Sequence, residues 1–194
     1  MSLSMPQPPA AALRAVHGAL DSPNAVRAVR TAAMRRHTGP LAPANPLPVH
    51  LLDPAAAPPG SAALAGAPRI GWRFLIQDGE EVLAAADTRE SAEGHVFSHF
   101  AEGPYPPSTL RALQQARQHI GSSPTVYLPR LLSVPGHYMA ALWLRPVLDR
   151  AQSADLLIPL APAPLGVTAH LPHDADELLS LLALSSGQLL TAIS

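Results

Sequence analysis

Cysteine and lysine are both missing from this chain of 194 residues. The lack of cysteine excludes a disulfide framework, thiolate metal ligands and a thiol nucleophile. The lack of lysine removes the phosphate-gripping residue of a P-loop, and the glycines between 60 and 66 have no strand–loop–helix pattern around them. Charged residues make up only 14%, well below the usual quarter. Aromatics make up 4%. The best apolar run, 138–144, ends at Arg145. It is far shorter than the ~18 residues a membrane-spanning helix needs, so no membrane span is expected. There is no internal repeat of solenoid period.

What remains is a chain that is 47% hydrophobic and carries 23 prolines, a composition that suits a folded core and argues against disorder throughout. All 13 basic residues are arginine, and they are unevenly spread. Residues 1–70 carry a net +4, residues 71–150 a net −1 and residues 151–194 a net −4. Such asymmetry steers partners or draws the two ends together. The arginine-for-lysine bias and the abundant Ala, Pro and Leu read as a GC-rich bacterial gene, and a cytoplasmic protein is expected. The nearly acid-free first 50 residues also have the composition of an organellar transit peptide.

Residues 1–68 read as a long Pro/Ala-rich N-terminal arm. A short helix is expected over 10–20. Ser22-Pro23 is a second start signal, Ser at the N-cap and Pro at the first helical position, and Thr38-Gly39-Pro40 closes that helix. Beyond it prolines favour an extended course, around an apolar island, 45–52, with Leu47, Val49, Leu51 and Leu52. The island is too apolar for an idle linker and is expected to lie along a surface, the chain's own or a partner's.

Residues 69–194 read as a compact α+β domain. Residues 72–76 are strand formers, and Asp78-Gly79 signals a hairpin returning over 81–86. A third strand is expected over 95–100. A helix follows the 103–107 loop, running to His119. A second hairpin, 125–134 with 137–144, turns at Pro135-Gly136, the pair a type II turn asks for. Pro129 marks an edge or a bulge. A short apolar strand covers 155–160. Asp174 and Glu177 resemble a capping box opening a leucine-rich final helix. Tight turns between neighbouring strands predict an antiparallel sheet with helices packed on one face.

The chemistry is sparse. His95 and His99 are the candidate metal pair, but they share a site only on a helix. Val96, Phe97 and Phe100 favour a strand, where residues four apart lie ~13 Å apart. No HExxH pattern and no nucleophile elbow occurs, so neither a metal site nor a cofactor is expected, and an enzyme is the less favoured reading. Arg27, Arg30, Arg35 and Arg36 form a basic helix, but it lacks the side-chain mixture that reads base edges, and nucleic acid is not the expected partner. Tyr105, between two prolines, is either a packed anchor or the centre of a recognition patch. The final helix places leucines at 178, 179, 181, 182 and 184, more of its circumference than one sheet face covers. Leu189 and Leu190 extend the apolar character. A non-catalytic interaction or assembly component is therefore expected, binding a protein partner or further copies of itself. The alternatives are a small enzyme or ligand-binding protein with a cleft between sheet and helices, dependent on histidine-bound metal, and a nucleic-acid-binding accessory protein using the basic helix.

Overall fold

The computed structural model describes residues 3–22, 32–53, 58, 60–92, 94–121, 124–147 and 153–191, with side chains in the last helix through Leu184. Eight strands form one sheet: β1 Ala42–Leu51, β2 Arg69–Asp78, β3 Glu81–Ser91, β4 Gly94–Ala101, β5 Tyr127–Val134, β6 Met139–Pro146, β7 Leu156–Pro159 and β8 His173–Asp174. Five helices are described: α1 Ala10–Leu20, α2 Ala32–Arg36, α3 Ala62–Ala65, α4 Tyr105–His119 and α5 Ala175–Thr191. The sheet order is β4-β3-β2-β1-β5-β6-β7-β8. Two antiparallel meanders thus lie side by side, joined by a parallel pair, β1 with β5. The class is α+β as expected, but the sheet is mixed instead of purely antiparallel, because α4 carries the chain across the sheet before β5 begins.

The long arm is not seen as such. Its apolar island is β1, a central strand. That a strand with three prolines sits there follows from its pairing. The parallel ladder spans only 49–51 against 131–133, so Pro43, Pro46 and Pro48 lie where β1 has β2 alone beside it. A proline's missing N–H costs nothing on such an open side. Asn45, at φ 46°, and Pro46 form a bulge between Ala44 and Leu47. Pro129 obeys the same rule from the other side, preceding the ladder and pairing only with Leu144 of β6. Beside it the N-terminus fills in, with Leu3 bridging to Tyr127.

Helices cover both faces, not one. On β6, Leu142 and Leu144 pack with Ala112, Leu113 and Ala116 of α4. The alternate residues Ala141 and Trp143 pack with Leu178, Leu179 and Leu182 of α5. Successive strand residues point to opposite faces, so α4 and α5 sandwich the second meander. The first meander places Trp72, Phe74, Ile76, Ala84 and Ala86 beneath Ala12, Val16 and Ala19 of α1. The two alanines on β3 let that helix sit close. At Gly71 a Cβ would collide with the Thr88 carbonyl oxygen, so only glycine fits where β2 and β3 meet there.

The expected local signals fare well. The β2–β3 turn has Gly79 at φ +56°. Asp174 Oδ1 accepts from the backbone N–H of Asp176 (2.8 Å) and of Glu177 (3.4 Å), capping α5. The Pro135-Gly136 turn differs: it is a 3₁₀ turn over Pro135–His137, and Tyr138, at φ 49°, takes the left-handed position instead of glycine.

Candidate functional site

A groove of about 360 Å³ opens on the α4 face, lined by Arg73, Tyr105, Ser133, Pro135, Tyr138, Met139 and Ala140. It lies between the first turn of α4 and the turn after β5, beside the end of the parallel junction. Tyr105 is therefore not a loop residue but the first of α4, half-buried with its ring against the core. Tyr138 stands 87% exposed at the rim. The groove's fixed charge is Arg73, whose Nε and Nη2 each donate to an Asp87 oxygen at 2.7 Å. Burial opposes that charge, but the hydrogen bonds and charge of Asp87 outweigh it and hold the guanidinium above its ordinary pKa. His99 Nε2 lies 3.5 Å from the same carboxylate. Arg73, Asp87 and His99 form a row across β2, β3 and β4.

Two further clusters carry polar chemistry. Ser108, buried in the first turns of α4, lies 2.7 Å from His170 Nε2 through its Oγ, which also accepts the Ala161 N–H at 2.7 Å. His170 is held at φ 63°, a costly conformation for a residue with a Cβ. A serine beside an imidazole is the opening geometry of acyl transfer. Here Ser108 is only 4% exposed, and both of its hydrogen-bonding roles are used to pin the segment after β7 onto α4. We read it as a clamp. On the opposite face, His50 is buried, with Nδ1 3.0 Å from the Ala67 carbonyl and Nε2 3.4 Å from Arg130 Nη1. A carbonyl only accepts, so Nδ1 carries the proton and Nε2 accepts from Arg130. Burial lowers the His50 pKa, the charges of Arg130 and Arg69 lower it further, and the Ala67 carbonyl opposes them. Trp143 packs edge-on to His50, lies under Arg130, whose Cζ is 4.9 Å from the ring centroid, and donates its Nε1–H to Asp155 at 2.8 Å.

The residues singled out in the sequence end in different places. Leu47 and Leu52 are in the core, Val49 and Leu51 are half-buried. All four lie in the chain's own sheet and its flank, the first of the two surfaces expected for the island. Arg35 and Arg36 are exposed on α2, and Arg36 Nε donates to the Ala32 carbonyl. Arg27, Arg30 and the side chains of Leu189 and Leu190 lie outside the described residues. His95 and His99 are on β4, as the strand reading requires. An extra residue at Ser98 shifts the register between the pairs Phe97–Thr88 and His99–Asp87, turning the two histidines to opposite faces. No cluster of three or more ligand-type side chains suited to a metal ion occurs among the described residues. No described helix is long and apolar enough to cross a membrane. Sequence reasoning missed the Arg73–Asp87 pair, Tyr138 and the Ser108–His170 contact. The first was hidden by a bulge: an unbroken hairpin would pair Arg73 with Ala86, and an extra residue at Leu83 makes Asp87 its partner. The Ser108–His170 contact joins elements far apart in sequence and had no signal. No protein-family model, curated protein or solved structure matches the chain.

Proposed function

We propose that this chain is a non-catalytic assembly component that binds through the outer face of α5. The observation that carries this is the division of its leucines. Leu178, Leu179 and Leu182 are buried on the sheet, whereas Leu181 and Leu184 stand 50% and 70% exposed. Spaced i and i+3, the outward pair shares a helix face. Leu165 and Leu171, in the segment leading to α5, add two more exposed leucines. Helix faces of this kind dock in grooves of a partner or of another copy. A photo-crosslinking residue at position 184, in the source cell, tests the reading. One defined adduct, lost in Leu181→Glu, is expected, and absence of any adduct counts against it.

The second reading is a ligand-binding protein, and the groove at Tyr105 and Tyr138 favours it. Its mix of aromatic and apolar lining with a few polar groups suits a small ligand or a peptide. A ligand whose thermal stabilisation of the chain disappears in Tyr105→Ala would support it.

A further inference from the structure

We infer that β4 is the pairing edge of a two-fold dimer of this chain, joining two eight-stranded sheets into one. The inference uses the strand edge alone and does not depend on the reading of α5. The sheet ends at β4 on one side and at β8 on the other. Among the described residues no strand pairs with the outer edge of β4. An edge strand presents unpaired backbone N–H and C=O groups, a template for another strand. Proteins blunt such edges with charge, proline or a bulge. Over 94–101 there is no Arg, Lys, Asp, Glu or Pro. The register irregularity at Ser98 falls in the second half of β4, and residues 94–97 keep an unbroken ladder with β3. Val96 and Phe97 give that stretch strong strand character.

The occupant follows from the two edges together. β8 has two residues, His173 and Asp174, too few to receive an added strand. A head-to-tail contact of β4 on another copy's β8 therefore has no ladder to form, and open filaments are disfavoured. Antiparallel pairing of β4 with β4 is closed, isologous and self-complementary. Neither strand brings an Arg, Asp or Glu to such an axis. The chain's formal net charge of −1 adds little repulsion between copies. Val96 and Arg89 are register partners on the sheet face away from α1, so position 96 accepts a longer polar side chain beside its exposed neighbour.

Light scattering of the full chain over a dilution series tests this, with Val96→Lys, Val96→Asp and Ser98→Lys, each checked for an unchanged far-UV spectrum. The expected result is a dimer in the parent chain. Each β4 variant weakens it at least ~10-fold: with position 96 opposite its symmetry mate the charges at 96 meet their like, and Ser98→Lys puts on the pairing strand the kind of charge that blunts an edge. An equimolar mixture of Val96→Lys and Val96→Asp restores it, since opposite charges now face each other. Ser98 is exposed, so Ser98→Lys keeps the test alive if substitution at 96 disturbs folding. A parent chain that stays monomeric throughout overturns the inference, and so does a dimer that all three variants leave intact. A dimer lost in Leu181→Glu/Leu184→Glu but kept in the β4 variants also overturns it, while leaving the α5 reading standing.

Discussion

The two meanders solve the same problem with different means. In β5–β7 both faces are covered, and β6 is buried almost end to end, from Met139 through Leu144 with only Ala140 half-exposed. Such two-sided burial produces continuous apolar runs. In β2–β4 helix α1 covers one face, while on the other α4 packs against β3 beside the Arg73–Asp87–His99 row. There Trp72, Phe74 and Ile76 lie beneath α1, and the opposite face sets Arg73 beside the fully buried Leu75 and Ala85. The second meander is a leucine-built core. The first places a charge pair beside its buried residues and ends the sheet at β4. The charge pair thus belongs to the first meander, and the exposed Leu181 and Leu184 to the helix that covers the second.

The tryptophans offer the sharpest break of this comparison. Trp72 is 4% and Trp143 1% exposed, so removing either leaves a cavity, and Trp143→Ala should cost about 3–5 kcal/mol. Their N–H groups differ. Trp143 donates to Asp155, whereas Trp72 Nε1 is buried with no hydrogen-bond partner among the described residues. Trp143→Phe should therefore cost about 1–3 kcal/mol more than Trp72→Phe in urea unfolding. Equal losses would show the two cores to be equivalent. Next comes the charge pair. Asp87→Ala strands a largely buried guanidinium and should cost about 2 kcal/mol, whereas Arg73→Met with Asp87→Leu should be near neutral. A double variant as damaged as the single one would mean the row does more than satisfy itself. Third is the clamp. Ser108→Ala deprives the Ala161 N–H and His170 of their partner and should cost about 1–2 kcal/mol, with hydrogen exchange accelerated in residues 161–172. Unchanged exchange there would remove the clamp.

What was legible in the sequence follows the same division. The elements between residues 69 and 191 were read from local rules: Asp78-Gly79, the Asp174 cap, the leucine period of α5. These are contacts within a few residues. β1 was not legible, because proline content is a local signal and its place in the sheet is not. Nothing in residues 42–51 says that the parallel partner begins at Leu131 and leaves the prolines unpaired. The second covered face was missed for the same reason, since one parallel pair decides which side α4 crosses. Of the candidate sites, Tyr105 alone lines the groove, and its partners come from β2 and from the turn after β5.

The smallest effect expected is a change of slope, and it locates pH sensitivity at the seam between the meanders. His50 belongs to β1, Arg130 to β5 and Trp143 to β6, so the cluster ties the halves together. Its folded pKa is lowered, chiefly by burial and then by Arg130 and Arg69. The folded chain therefore takes up this proton less readily than the unfolded chain. Above the ordinary histidine value of about 6.5 neither state is protonated there, and the contribution to stability is complete. As pH falls below that value the unfolded chain gains the proton first, and stability declines until the folded pKa is passed. His50→Gln keeps a neutral polar side chain and removes the titration. Urea midpoints compared at about pH 7.5 and about pH 5.5 should fall less in the variant than in the parent. The two proteins differ only at position 50, so the difference between the two slopes belongs to His50. Identical slopes would mean that the seam is not where protons act on this fold.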